Sequence, residues 1–279
     1  MNVLILRIIK IIVGVLVGLF AVGWLGLMVQ PRNFKVDEKK LQQQSASSIS
    51  AIVPDGLQEY ADKVFADEIA DIKTSVIWGK SKINVKGIWT PARFITYYIP
   101  GEGFFRYIEI TWFGMPIING YDLYYDDVAD FCMAGDKETG EKIEQGQNLA
   151  LWAETIWSPS AYFTDDRLAW EKIDSNLLEL TIPYKEKMDK IKISIDTDTG
   201  LMDAMEAMRY KGQSTDKVLW QIDLIEWNEF DGVLIPSESS VKWADEKKPW
   251  SYWSIEGVLY NIEISDGFNE EIQKYTDRD

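Results

Sequence analysis

The sequence predicts an α+β protein, in which an N-terminal transmembrane helix is followed by a highly curved antiparallel β-sheet, a half-barrel packed with two or three helices. Three observations carry this reading. Residues 11–29 form an uncharged apolar run; from about residue 72 the hydrophobic period is two, with turn residues at hairpin spacing; and two segments, 57–70 and 147–157, carry helical spacing or helix-forming composition. The implied organisation is a transmembrane signal anchor over 1–30, a flexible linker over 31–50, a single β-rich domain over 51–268 and a polar C-terminal tail over 269–279.

At about 1.5 Å per residue, the run IIVGVLVGLFAVGWLGLMV matches a hydrocarbon layer about 30 Å thick. It is long for a secretory leader, and Met28-Val29-Gln30-Pro31 offers no small-x-small cleavage site. It also lacks the polar face that a soluble amphipathic helix would show. Arg7 and Lys10 precede the run while Arg32, Lys35, Lys39 and Lys40 follow it, so charge bias does not decide the orientation. A short leader before a long trailing domain is the usual signal-anchor arrangement. The expectation is a single-pass protein of the cell membrane with its domain outside the cytoplasm.

Residues 31–50 are polar and end in a Gln/Ser-rich stretch that can bury little, which reads as a tether. Leu57, Tyr60, Ala61, Val64 and Phe65 then recur at helical spacing. Alternation follows in Lys82-Ile83-Asn84-Val85-Lys86-Gly87-Ile88-Trp89, and the turn Pro100-Gly101-Glu102-Gly103 separates two further strand-like runs, 93–99 and 104–112. Residues 147–157 are rich in helix formers and are stopped by Ser158-Pro159. Strand patterns resume over 177–182, 190–195, 202–210, 218–227, 233–243 and 252–264, giving about ten strands in one antiparallel sheet.

Composition narrows the function. The chain has 29 Lys+Arg against 45 Asp+Glu, a net charge of -16, and residues 1–30 hold two of the bases and none of the acids. Such a surface repels phosphate backbones, so no nucleic-acid partner is expected. With no histidine and one cysteine, the chain cannot assemble a Ser-His-Asp or Cys-His nucleophile, the usual zinc ligand sets or an intramolecular disulfide. Cys132, among apolar neighbours, reads as a small buried hydrophobe. No cofactor or metal is expected.

Candidate chemistry competes with plainer explanations. Asp122, Asp126, Asp127 and Asp130 cluster near two tyrosines, but without a recognised calcium-loop spacing. Asp196-Thr197-Asp198-Thr199-Gly200 begins like such a loop, yet Ala207 stands where a bidentate Glu is required. Ser239 and Lys242 match S-x-x-K in a strand, where residues three apart face opposite ways. Paired-carboxylate hydrolysis needs no histidine, and Glu154 with Asp165 or Asp166 is the candidate pair, against the commoner solvated acidic surface. Eleven tryptophans follow the apolar run, and such rings either fill a core or line an apolar pocket on a concave sheet. The candidate ligand-binding set is Trp89, Trp112, Trp152, Glu154, Trp157, Trp170, Arg209, Trp227 and Trp243.

The stretches Gln147-Asn148-Leu149-Ala150-Leu151-Trp152-Ala153-Glu154, Trp157-Ser158-Pro159-Ser160 and 170–174 resemble a bacterial family of domains of unknown function, of the DUF6544/DUF6920 type, many of them membrane-associated. Gly87 with Trp89, the run 205–212, Trp227 before Asp231-Gly232 and Ile235-Pro236, and Trp243 extend the resemblance to about residues 54–264. Some members carry Arg where this chain has Ala150, so a role built on that arginine would not transfer. The strand order is also similar to the lipoprotein-carrier half-barrel of the LolA/LolB type, which implies a fold and no activity. Together these features lead to an expected binding module for a lipid or other hydrophobic ligand at the cell envelope. An envelope module that contacts an unidentified protein partner, and a carboxylate-dependent hydrolase, stand as the alternatives.

Overall fold

A computed structural model of the protein describes residues 3–36, 47–66 and 68–276. The chain runs through helix α1 (Val3–Met28), strand β1 (Ser48–Ile49), helix α2 (Gln58–Phe65) and strand β2 (Ile69–Ala70). The β-rich body begins with β3 (Ser75–Val85), β4 (Ile88–Ile99), β5 (Gly103–Trp112), β6 (Met115–Tyr125), β7 (Val128–Met133) and β8 (Asp136–Glu138). Helix α3 (Glu141–Glu154), a 3-10 turn at Thr155–Trp157 and the short helix α4 (Ala161–Thr164) interrupt it. The second run comprises β9 (Ala169–Lys172), β10 (Leu177–Tyr184), β11 (Lys187–Ile195), β12 (Met202–Tyr210), β13 (Lys217–Phe230), β14 (Val233–Trp243) and β15 (Ser251–Tyr260), before helix α5 (Asn269–Thr276).

Thirteen of the strands form one antiparallel sheet in the order β8-β7-β6-β5-β4-β3-β15-β14-β13-β12-β11-β10-β9, open at both edges. Two meanders are therefore zipped together by the pairing of β3 with β15. Helix α3 packs against β6 and β7 near one edge and against β10, β11 and β12 near the other. One helix can touch both only if the sheet curls around it, so α3 fills the concave side of a half-barrel.

The concave face holds the main core, with Ile77, Phe94, Leu149, Trp152, Leu180, Ile193 and Ile235 each at most 1% exposed. Helix α2 adds Tyr60, Ala61, Val64 and Phe65 from one stripe, as its spacing predicts, and ends where Ala66 turns to a positive φ of 56°. Part of the convex face is covered as well. Val76, Ile95, Tyr97, Phe105 and Tyr107 form a second core with Phe34, Phe268 and Tyr275.

Several boundaries differ from expectation. The second helix begins at Glu141, earlier than 147, because Glu141 and Glu144 suit a helix N-terminus and Ile143 reaches the core. Strands β6, β7, β8 and β9 were not legible, since much of their surface faces solvent and blurs the alternation. The Asp126-Asp127 pair is the turn of the β6–β7 hairpin, with φ of 51° and 60°. Aspartate tolerates this left-handed conformation and fits a type I′ turn, which explains the acids without a cation. Among the described residues, no group of three or more acids or cysteines could hold a metal ion. Cys132 is half-buried on β7 rather than sealed in a core.

The proposed tether and tail also differ over their described parts. Phe34 is buried edge-on against Tyr107 and Tyr275, and Ser48–Ile49 pairs with Ile69–Ala70. Residues 269–276 are helical, and Tyr275 stacks on Tyr107 at 4.9 Å. A few large rings suffice to dock segments whose average composition is polar. The remainder of these two segments, 37–46 and 277–279, lies outside the described residues.

Candidate functional site

Two features stand out, a polar centre on the concave side and a groove outside the sheet beside α1. The polar centre is built on Arg106, which points inward from β5 and is 6% exposed. Its guanidinium pairs closely with Glu154 at the end of α3, lies 3.7 Å from Asp122 of β6 and donates to Thr96 Oγ1 at 3.2 Å. The Phe104 and Trp253 rings lie 5.3 and 5.1 Å from it. Arg209 of β12 completes the group by stacking on Trp220 at 4.6 Å, against the bare backbone of Gly146 in α3.

Two acids and two guanidiniums thus balance in a poorly solvated space. Burial raises the carboxyls of Asp122 and Glu154 above their ordinary range, with Arg106 opposing it. Burial works against the Arg106 cation too, but Glu154 and Asp122 raise its pKa on balance. Arg209, with less compensation, is lowered to about 10. A cavity of only about 40 Å³ adjoins the centre, lined by Glu154, Trp157, Met205, Trp220, Ser239 and Trp253 among others. The Trp157 and Trp220 indole nitrogens are buried without a hydrogen-bond partner among the described residues.

The groove is larger, about 830 Å³, and open. Its floor is Lys80, Ser81 and Lys82 of β3, Trp89, Thr90 and Pro91 of β4, and Tyr252, Trp253 and Ser254 of β15. Ile225 and Glu238 bound one side, and Trp24, Leu27, Met28 and Gln30, at and just after the end of α1, bound the other. Interrupted pairing makes room for it. Strands β14 and β15 pair only from Glu238 to Val241, and the registers of β13–β14 and β15–β3 shift at Leu224–Trp227 and Ile255–Gly257. Lys80 is paired with Glu256 at 2.6 Å, whereas Ser81 Oγ is buried without a partner among the described residues. Ser239 and Trp253 line both spaces, so Trp253 separates the groove from the cavity and from Arg106.

The structure disperses the predicted site residues. Glu154, Trp157 and Arg209 gather at or near the polar centre, and Trp89 lies in the groove against Tyr252. Trp152 is core; Trp170 packs on Tyr162 at the β9 edge; Trp227 meets Tyr60; and Trp243 carries Lys211 over its ring. Trp112 donates to the Gly23 carbonyl of α1. The proposed acid pair is not available, because Glu154 is tied to Arg106 and Asp165 to Arg167. Arg106, Lys80 and Tyr252 escaped the sequence reading, while Asp122 entered it only through the aspartate cluster and Trp253 only as one of the eleven tryptophans. Trp24, inside the apolar run, was the one available signal, since aromatics favour the membrane interface.

A model for a family of unknown function (DUF6544) matches residues 42–255. None of the curated proteins matches the chain in sequence. Among solved structures, the chain is similar to a LolA superfamily protein from Nitrosomonas europaea, with a TM-score of 0.47 and 11% identity over 80% of this chain and 97% of that one. It is also similar to a DUF1329 family protein from Desulfovibrio piger, with a TM-score of 0.44 and 15% identity over 72% and 91% of the two chains. A putative outer membrane lipoprotein-sorting protein domain from Vibrio parahaemolyticus gives a TM-score of 0.42 and 9% identity over the same shares.

Proposed function

The chain belongs to this family of unknown function, and we propose that it is a membrane-anchored module of the cell envelope that binds a lipid or similarly hydrophobic ligand in the groove beside α1. The single observation that carries this reading is the groove's location. A space of about 830 Å³ is walled on one side by the end of an apolar helix and floored by Trp89, Tyr252 and Trp253. That volume falls within the range of about 300–1,000 Å³ common for small-molecule sites. The concave cavity, about 40 Å³, is too small for such a ligand.

The anchor reading is supported by α1 itself. Residues Leu6–Met28 are strongly apolar, and almost none of this surface is covered by the domain. Exposed apolar surface of that extent is stable in a bilayer and costly in water. The groove therefore opens beside the membrane surface, where a lipid could enter with little exposure of its chains. The domain is assigned to the extracytoplasmic side, following the signal-anchor arrangement.

The test is photocrosslinking in phospholipid vesicles containing a diazirine-bearing acyl chain, with the full-length protein and peptide mapping by mass spectrometry. Crosslinks are expected on the groove residues 80–82 and 252–256 as well as on α1. Ile225→Glu places a charge at a half-exposed groove position and should reduce the groove crosslinks several-fold while leaving those on α1 unchanged. Crosslinks absent from 80–82 and 252–256 in the unaltered protein would refute the assignment.

A further inference from the structure

We infer that the β5–β6 and β3–β4 hairpin tips are themselves a membrane-binding surface, inserted into the same bilayer leaflet interface that α1 crosses. This rests on the reading of α1 as an anchor. Trp112 Nε1 donates to the Gly23 carbonyl at 3.0 Å, and Phe113 N donates to the Gly26 carbonyl at 2.8 Å. With a helical rise of about 1.5 Å per residue, Gly23 lies about 9 Å and Gly26 about 4.5 Å inside the apolar run that ends at Val29. A bilayer that accommodates the whole run therefore reaches the Trp112 indole and the Phe113 backbone bonded to it.

The tips have the chemistry for that depth. Val85, Ile88, Trp112, Phe113, Met115 and Ile117 are all exposed, Met115 at 67%. Strand register brings the two tips together, because Ala92 pairs with Ile110 and Val85 with Ile88. Phe113-Gly114 occupies the turn with φ of 51° and 72°. This conformation favours Asn-Gly or Asp-Gly in a water-facing hairpin, and a bulky apolar ring there costs backbone strain. The ring's burial in lipid offsets that strain. Lys86 between Val85 and Ile88 has a stem long enough to carry its ammonium up to the phosphate layer. An exposed indole at this level is the usual occupant of a membrane interface.

Single-cysteine spin labels in a Cys132→Ala background report depth for the full chain in phosphatidylethanolamine/phosphatidylglycerol vesicles. The sites are Leu16→Cys in α1, Met115→Cys at the tip, and Glu102→Cys in the turn just beyond the far end of the ten-residue strand β5, about 30 Å away. The expected result is a several-fold higher ratio of oxygen to nickel-chelate accessibility at Leu16 and Met115 than at Glu102. A lipid-like Leu16 with an aqueous Met115 overturns the inference and leaves the anchored binding module standing. An aqueous Leu16 removes the anchor reading and the inference with it. Equal lipid exposure at Met115 and Glu102 also overturns it, since contact would then not be confined to the tips.

Discussion

Arg106 shows how one side chain organises the interior. Its cation is the close partner of Glu154 and lies near Asp122, two carboxyls that burial already pushes towards the neutral form. Arg106→Met leaves both acids without that charge, and the expected loss of stability is about 3–5 kcal/mol. Urea unfolding of the detergent-solubilised protein, followed by near-ultraviolet circular dichroism, measures it. Adding Glu154→Leu removes one stranded charge and should recover a substantial part of the loss. A double variant no more stable than the single one would show that the pair contributes through packing rather than charge. The sequence offers Glu154 only as half of a candidate carboxylate pair; its actual partner, Arg106, lies 48 residues away on β5 and leaves no local trace.

At the scale of elements, the segment that resembles the family acts as a clasp between α3 and the sheet. The Trp157 carbonyl accepts from Tyr260, Ser158 and Ser75 share a 2.9 Å hydroxyl contact, and Ser160 Oγ accepts from the Ile72 amide. The junction of α1 with the β5–β6 hairpin is the other decisive contact. A Cβ on Gly26 would collide with the Trp112 indole, whereas one on Gly14 meets nothing within 4 Å. Gly26→Leu keeps the run apolar but should break the Phe113 amide bond to Gly26, speeding hydrogen exchange at Phe113 by about tenfold, the equivalent of one modest hydrogen bond. Gly14→Leu serves as the matched control and should leave that exchange unchanged. Equal exchange in both variants would show that the hairpin and α1 are not coupled.

For the molecule as a whole, α3 is the strut that holds the half-barrel in its curve. Asn148, 2% exposed, accepts from the Tyr124 hydroxyl of β6 and donates to the Pro183 carbonyl of β10, joining the two limbs of the sheet through one side chain. Gln145 adds bonds to Asp189 of β11 and to the Met208 and Tyr210 backbone of β12. Asn148→Ala should cost about 1–3 kcal/mol, because the Pro183 carbonyl loses its donor in a buried setting. The same urea titration checks this, and a change below about 0.5 kcal/mol would mean that Asn148 is not what ties the two limbs to the helix.

Local chemistry is what the sequence by itself determined: the apolar run, the two main helices, most of the strands and the family. Each depends on residues within a few positions of one another, where periodicity, turn propensity and side-chain size act directly. The concave pocket expected from the tryptophans was not determined in this way, because surplus rings fit a core as well as a cavity. Only the tertiary structure decided that α3 and Trp152 fill the half-barrel and that the open space lies outside, against the end of α1. That outcome depends on which strands pair across the chain, on bulges that interrupt two registers and on contacts between residues as far apart as Gly23 and Trp112. Such contacts are set by the packing of whole faces against one another, a property that no short stretch of sequence contains.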